Sequence, residues 1–439
     1  MLTDVLVPGN RWDLLDPYPV PRPAVSVVIA HFEQPAQLAR TWAALCAQTL
    51  PPFEVVIADD GSARPPLPPR GGPPVRVVTQ PDRGFRAAAA RNLGAAHTTG
   101  EVVVFLDADT VPDRGFVAAL TRRVALCPDV LAVGRRRHAD LSDLPPGADP
   151  ATAPRLAEPR WLSDGYAASR DLLDADGRSF RYVISAVLAC RRSLFDDLGG
   201  FDERYVGYGG EDWDLGYRAW NAGAVLVHER EAVAWHDGPD WAGRPEDRSA
   251  KELESIRLAA LIPEPSTRGA ALPFALPDVL VDVAPAQSVA ETARTVHSLL
   301  RQTHRDLRIR LLEPVDPVLA QLYDGGMQCT PWSGDQLRRA RVRLRVDRPL
   351  PEDSVAEAVR TLTATGLGQL ALSTEGLHAA SATSTRVIGR ARRWARRFPD
   401  RRVVLDVFGC ADLEVGPCPP SRDDLAAFFD LGSRCGPAV

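Results

Sequence analysis

The segment VVVFLDADTVPDRGF, residues 102–116, sets Asp107 and Asp109 one residue apart, directly after a strand-forming apolar run and before a proline. Paired carboxylates where a buried strand surfaces can address one hard cation or its waters. Magnesium and manganese take such oxygen ligands and leave positions for substrate phosphates. The chemistry suggested is a divalent cation carrying the diphosphate of a sugar nucleotide, although an acidic turn cap would give the same letters. A second acidic cluster, GYGGEDWDLGYR at 207–218, puts Glu211 and Asp212 after Gly209 and Gly210, where a helical pattern begins. Capping and the helix dipole favour acids there. The glycines, however, also strip side chains from the approach, which suits a pocket that admits a substrate. A carboxylate beside an incoming hydroxyl can act as general base, worth about a hundredfold to ten-thousandfold in rate. His236, in AVAWHDG, is a candidate third ligand to manganese in preference to His228, since imidazole suits that metal; a lone histidine is otherwise more often structural. Last, QPDRGFRAAAARNLGAA gathers Arg83, Arg86 and Arg91 at a helix start. Arginine forks and a helix N-terminus both suit diphosphate oxygens, while exposed arginines are usually only solvating.

These residues need a scaffold that brings them together. VSVVIAHF from residue 25 reads as a strand, PAQLARTWAALCAQTL as a helix with apolar spacing, and FEVVIADDGS as a second strand ending in Asp59 and Asp60. That is a βαβ unit. A proline-rich loop at 64–74, a strand VRVVTQ and a helix AAAARNLGAAHTT lead to the strand ending at Asp107. Alternating strands and helices imply a mostly parallel sheet covered on both faces. Ligands of such sheets bind beyond the carboxyl ends of the strands, where all four aspartates fall. Residues 134–180 are polar and proline-rich and read as a long loop or lid, or as a solvated insertion. SAVLACRRSLFDDLGGFDE reads as a helix, EAVAWHD as a strand, and 238–275 as a connector with one helix.

The second half echoes the first. Shifted by 254 residues, VSVVIAHFEQPAQLARTWAALCAQTLPPFEVVIAD aligns without a gap to VLVDVAPAQSVAETARTVHSLLRQTHRDLRIRLLE, with ten of 35 positions identical. Ala39-Arg40-Thr41 meets Ala293-Arg294-Thr295, and Gln48-Thr49 meets Gln302-Thr303. Further on Asp347 takes the place of Asp107, but ADDGS has become LEPVD and DAD has become DRP. A repeat that keeps its scaffold and loses its acids is the expectation; a chance match of two βαβ units is the alternative.

Totals bound the rest. A chain of 439 residues exceeds one ordinary core and suggests two domains. A net charge of −5 gives no electrostatic case for nucleic acid. Lys251 is the only lysine, a bias we read as coding, not chemistry. Seven scattered cysteines without a C-x-x-C pair suggest neither zinc nor a disulfide framework, so a reducing cytoplasm is the simplest compartment. The N-terminus lacks a signal-peptide pattern, and no stretch approaches about 18 apolar residues.

In this order the motifs VVIADDGS, DRGFRAAAARNLG, VVFLDADT, GGFDERYVGYGGEDWDLGYR and AVAWH resemble the family 2 glycosyltransferases of GT-A fold over residues 25 to about 240. The Gly-Gly-Glu-Asp segment is similar to the C-terminal motif of the galactosyltransferase and N-acetylgalactosaminyltransferase relatives. The resemblance implies an α/β GT-A domain at 25–240 after an extension at 1–24. A connector at 241–275 and a smaller, degenerate GT-A-like domain at 276–439 follow. It implies inverting transfer from a nucleotide sugar, usually a UDP-sugar, with Mn2+ or Mg2+ as cofactor. Asp212 would be the base and Glu211 a sugar or acceptor contact. Donor contacts would fall to Ala30, Phe32, Glu33, Asp59, Asp60, Arg86, Arg91, Asp107, Ala108, Asp109 and Gly210, and metal ligation to Asp109, Asp107 and His236. IAHFEQ departs from the usual proline-aromatic-asparagine wall of the base pocket. No Q-x-x-R-W motif or membrane helix follows, so single additions are expected, not processive synthesis. Partners are then a nucleotide-sugar donor and an unidentified acceptor.

Two rivals stand beside this. A non-catalytic nucleotide-sugar-binding or scaffold protein would have lost its acids in both copies, whereas the first copy keeps them. A nucleotidyltransferase would carry a glycine-rich basic loop near the first strand, and VSVVIAHFEQ has none. The second domain could bind acceptor, mediate a homodimer or buttress the first. Its basic RVIGRARRWARRF run suits either an acidic partner or plain solvation.

Overall fold

The computed structural model describes residues 4–50, 53–239, 248–268, 274–317, 319, 327–400 and 402–416. Cys418 and Cys435, parts of the expected connector (240–247 and 269–273) and the last stretch of the expected second domain (417–439) lie outside the described residues. The chain divides into two compact units, Met1–Ile262 and Pro263–Val439.

The first unit is built on strands β1 (Val25–His31), β2 (Phe53–Asp59), β3 (Val75–Thr79), β4 (Val102–Asp107), β5 (Thr110–Pro112), β6 (Val130–Ala139), β7 (Val187–Arg191) and β8 (Val225–Asp237). Its helices are α1 (Pro35–Cys46), α2 (Ala87–Ala96), α3 (Phe116–Thr121), α4 (Arg160–Ala168), α5 (Arg192–Leu198), α6 (Glu211–Asn221) and α7 (Arg248–Leu261). The strands lie in the order β3-β2-β1-β4-β7-β6-β8-β5. β7 and β5 run against the rest, so the mostly parallel α/β sheet expected of a GT-A domain is present. The apolar runs of β1, β2 and β4 are buried because helices cover the sheet. Each such side chain contributes about 1.5–3 kcal/mol. α2 sits close on β1 because Gly94 has no side chain: a Cβ there would come within 2.4 Å of Val28 Cγ1.

Two readings of the sequence are corrected. Val187–Arg191 is a strand, not part of a helix, and only Arg192–Leu198 is helical. Every residue of that strand is buried between β4 and β6, and tertiary pairing overrides a helix-like local pattern. The stretch 134–180 is not one loop: β6 continues to Ala139, and α4 follows. The arginines of β6 concealed a strand, since their guanidiniums find partners such as the Trp235 ring, 5.3 Å from Arg137.

The second unit holds β9 (Val279–Val283), β10 (Leu307–Leu311), β11 (Met327–Gln328), β12 (Val342–Val346), β13 (Gln369–Thr374), β14 (Leu377–Ser384) and β15 (Cys410–Glu414), with α8 (Val289–Leu300) among its helices. Their order, β11-β10-β9-β12-β14-β13-β15, is that of the first sheet without β5. The orientations match as well: β14 is antiparallel to β12 and β13, and β15 is parallel to β13. Register repeats too. Val25 faces Phe53 and Val102, and Val279 faces Leu307 and Val342. Even side-chain duties recur. Gln48 donates to the Asp113 carbonyl at 2.7 Å and accepts from the Val117 N–H at 3.0 Å. Gln302 donates to the Pro351 carbonyl at 2.7 Å and accepts from the Val355 N–H at 3.0 Å.

Candidate active site

Three chain segments converge beyond the carboxyl ends of β1, β2 and β4. At the end of β2, Asp59 is fully buried. It bonds His31 Nδ1 at 2.8 Å and accepts from the Ser62 hydroxyl and N–H. Asp60 accepts from Gln80 Nε2 at 2.5 Å and from the Arg86 N–H at 2.7 Å. Burial raises the Asp60 carboxyl above its usual range, against the pull of those donors. Both acids therefore fix the loop that carries Arg86 and the turn after β2. Gly61 is required in that turn: its φ is +90°, and a Cβ would meet the Asp82 backbone at 2.3 Å. Of the first loop, Phe32 is exposed. Glu33 adopts φ 51° and accepts from the Ala63 N–H at 2.6 Å, while Ala30 pairs with Ala58 and Asp107 within the sheet.

The two acidic clusters meet through Arg91. Its guanidinium donates to Asp107 Oδ1 at 2.8 Å and to Glu211 Oε1 at 3.0 Å, and lies 5.4 Å from the Phe201 ring centroid. Arg91 is buried. Burial disfavours its charge, but the two carboxylates outweigh that and hold it firmly protonated. It is thus committed to carboxylates in this structure and is not extended toward a diphosphate; Arg83 is exposed.

Asp109 meets His236 because the strand that carries the histidine returns to the edge of the sheet. β5 pairs antiparallel with β8 and sets Thr110 opposite His236. The Asp237 N–H donates to the Asp109 carbonyl at 2.9 Å. His236 Nδ1 lies 3.3 Å from Asp109 Oδ1, and Gln34 Nε2 donates to Oδ2 at 3.0 Å. Burial pushes the Asp109 carboxyl up, yet the His236 contact and the Gln34 hydrogen bond prevail and leave it below its usual range. The backbone at Ala108 is pinned by the Thr41 hydroxyl at 2.8 Å.

The carboxylate suits manganese or magnesium, and the imidazole beside it fits manganese, a transition metal, better than magnesium, which takes oxygen ligands. Among the described residues no group of three or more such side chains could hold a metal alone, and Asp107 turns its Oδ1 to Arg91. A bound cation would draw its remaining ligands from water and substrate phosphates, as magnesium commonly does.

Asp212 opens α6. Oδ1 accepts from the Trp213 N–H at 2.8 Å. Burial, with Glu211 next to it, pushes its carboxyl up to about 7, against the opposing charges of Arg91 and Arg136. Such an acid can exchange a proton near neutrality. The glycines before it serve a different end from the one their spacing suggested. Gly209 and Gly210 both adopt φ +91°. Cβ atoms there would meet Glu254 on α7 at 2.8 Å and the Tyr205 ring at 2.7 Å. They allow the turn and its packing, and the open approach was not needed to explain them.

Sequence reading missed Gln34, His31 and Arg136. Arg136 is the telling one: its charge lowers both Asp109 and Asp212, so it lies within electrostatic reach of both acidic clusters. It was hidden in the polar run taken for a loop, and only its alternation with the apolar start of β6 could have exposed it. His228, the second-choice ligand, is bound to Asp171 at 2.7 Å, away from this pair.

Comparison with known proteins gives the following. Residues 26–199 match the family model "Glycosyl transferase family 2", and residues 174–230 match "N-terminal domain of galactosyltransferase". The validoxylamine A glucosyltransferase of Streptomyces hygroscopicus subsp. limoneus is 30% identical over 229 residues, covering 48% of this chain and 51% of that protein. The hyaluronan synthase of Pasteurella multocida is 26% identical over 250 residues, 52% of this chain and 26% of that one. The chondroitin synthase of Escherichia coli is 26% identical over 288 residues, 58% and 41% respectively. The chain thus spans between about a quarter and about half the length of these relatives. Among solved structures, GalNAc-T7 with UDP, GalNAc and Mn2+ is similar at 20% identity over 54% of this chain and 48% of that chain, with a TM-score of 0.38.

Proposed function

We propose that residues 26–199, which belong to the family 2 glycosyltransferases, form with α6 and β8 the core of a metal-dependent enzyme. It moves a sugar from a nucleotide diphosphate, a UDP-hexose or UDP-N-acetylhexosamine, to an acceptor hydroxyl with inversion, one sugar at a time. The observation that carries this reading is Arg91, whose single guanidinium holds Asp107 and Glu211 together. That contact makes the acids after β4 and the acids opening α6 one site.

The roles follow from the surroundings. Asp109 and His236 would hold the Mn2+ or Mg2+ ion, with Asp107 completing the acidic end of β4 behind them. When bound, the cation supplies positive charge against the charge developing on the departing nucleotide diphosphate. The loops after β1 and β2, braced by Asp59 and Asp60, would receive the base and ribose along Ala30, Phe32 and Glu33. Arg86, whose own N–H is tied to Asp60 and whose guanidinium lies 3.6 Å from Glu203, would add a donor contact there. Asp212 takes the proton of the acceptor hydroxyl as its oxygen attacks the anomeric carbon. One in-line displacement inverts that centre. The raised carboxyl of Asp212 matches a base that works near neutral pH. Glu211, tethered by Arg91, would orient the sugar or acceptor.

The test is a thermal-shift screen of nucleotide sugars with and without Mn2+, followed by a transfer assay on each binder. A ligand at a hundredfold its Kd adds about 2.7 kcal/mol, a Tm rise of several degrees. A Mn2+-dependent rise with one nucleotide sugar supports the reading. No rise with any of them, in the presence of metal, overturns it.

A further inference from the structure

A cavity of about 320 Å3 lies between α4 and the strands β6 and β8. Its wall includes Arg135, Arg136, Arg230, Tyr166, Asp171 and His228. His228 is 6% exposed, and among the described residues its Nε2 has no hydrogen-bond partner. Its Nδ1 is held by Asp171 at 2.7 Å, and its ring stacks on Tyr166 at 3.6 Å and 1°. When Nδ1–H donates to the Asp171 carboxylate, Nε2 of the neutral ring keeps a lone pair for a hydroxyl. A buried polar atom without a partner costs free energy unless something fills the place. The segment that presents Asp171 is itself costly: Arg170, Asp171 and Leu172 all adopt positive φ, between 52° and 69°. Non-glycine residues pay about 1–2 kcal/mol each there. The Leu172 carbonyl is held by Asn10 Nδ2 at 2.6 Å.

Charge defines the other half of the cavity. Arg135 approaches Glu158 no closer than 3.8 Å, and Arg230 approaches Asp171 no closer than 3.8 Å. Neither guanidinium makes a bidentate pair with these acids, and an arginine fork in this state suits an incoming carboxylate or phosphate. None of Asp109, Glu211, Asp212 and His236 lies in its wall, but two wall residues are within electrostatic reach of the transfer site. Arg136 in its wall acts on both Asp109 and Asp212, and Tyr166 feels the charge of Asp212. α4 reaches across the gap, because Trp161, exposed on its first turn, packs edge-on to Trp213 with centroids 6.2 Å apart.

We infer that this cavity is the acceptor subsite and that the acceptor is a hydroxylated molecule carrying an oxyanion. Its anionic group would be met by Arg135 and Arg230, one hydroxyl by His228 Nε2, and the reacting hydroxyl by Asp212. The inference rests on the transferase reading for the word acceptor, but the binding chemistry stands apart from turnover.

Binding is therefore measured directly, on the full chain with UDP and Mn2+ present, using glucose, glucuronate and glucose 6-phosphate as probes. At least tenfold tighter binding of glucuronate or of glucose 6-phosphate than of glucose is expected, and which of the two binds tells carboxylate from phosphate. In the exposed double variant Arg135→Ser/Arg230→Ser that preference should vanish, with donor affinity unchanged. Equal binding of all three probes, or a preference that survives the double substitution, overturns the inference. A protein that binds the anionic probe as stated but transfers no sugar would refute the transferase reading and leave the anion site standing.

Discussion

Asp107 and Glu211 stand 104 residues apart in the sequence, yet each accepts a hydrogen bond from the same guanidinium, at 2.8 and 3.0 Å. Arg91 carries one positive charge between two negative ones and is almost wholly buried. The arrangement leaves the site acidic overall while fixing the start of α6 relative to the end of β4. It positions Asp212 without touching it.

Removing that guanidinium should be expensive. Arg91→Met keeps the length of the side chain but strands two carboxylates, and breaking a buried pair from one side costs about 3–5 kcal/mol. Urea unfolding of the full chain should show a loss in that range in the transition of the first unit. A loss under about 1 kcal/mol would mean the carboxylates had found other partners.

The pH profile follows from Asp212. Its carboxyl is raised to about 7, and a base works only when deprotonated. Transfer, as kcat/KM, should fall about tenfold per unit as pH drops below 7 and level off above about 8. A profile flat from pH 5.5 to 8.5 would count against the raised carboxyl as the base.

Metal binding should follow the Asp109–His236 pair. His236→Ala should weaken Mn2+ binding by about tenfold or more, a cost comparable with losing a group that orients a ligand. Calorimetric titration of metal in the presence of the nucleotide checks this. Unchanged affinity would remove His236 from the ligand set, leaving its contact with Asp109 as structural.

The internal repeat predicts its own outcome. Gln48 and Gln302 each brace the start of the helix after the fourth strand of their sheet, and the buried hydrogen bonds of each net about 0.5–1.5 kcal/mol apiece. Gln302→Ala should therefore lower the stability of the second unit by about 1–3 kcal/mol, and Gln48→Ala that of the first by a similar amount. Differential scanning calorimetry resolves the two. A substitution at Gln302 that left both transitions unmoved would show that its hydrogen bonds carry no net stability.

Much of this was legible in the residues. The βαβ start, the gapless shift of 254 and the Gln-Thr pair appear in the structure as matching strand order and register. Those signals survive because strand period, helix period and buried hydrogen bonds are written locally. The delivery of His236 to Asp109 was also foreseeable, since a strand returning to the sheet edge has few places to end. What could not be read were partners made across the fold. Arg91 looked like a diphosphate ligand because spacing says nothing of Glu211 on a distant helix. Gly209 and Gly210 looked like an opening because Tyr205 and Glu254 are invisible until the chain folds. β6 looked like a loop because its three arginines find partners that no local pattern encodes.

The central claim, one site with Asp212 as its base, is tested most directly by Asp212→Asn. The amide keeps the size and the hydrogen bond from Trp213 but cannot take a proton near neutrality. The account predicts that transfer falls at least a hundredfold, within the range such a base supplies, while nucleotide-sugar affinity with Mn2+ stays within about threefold of the parent protein. Transfer at the parent rate, or equal loss of donor binding and turnover, would contradict it.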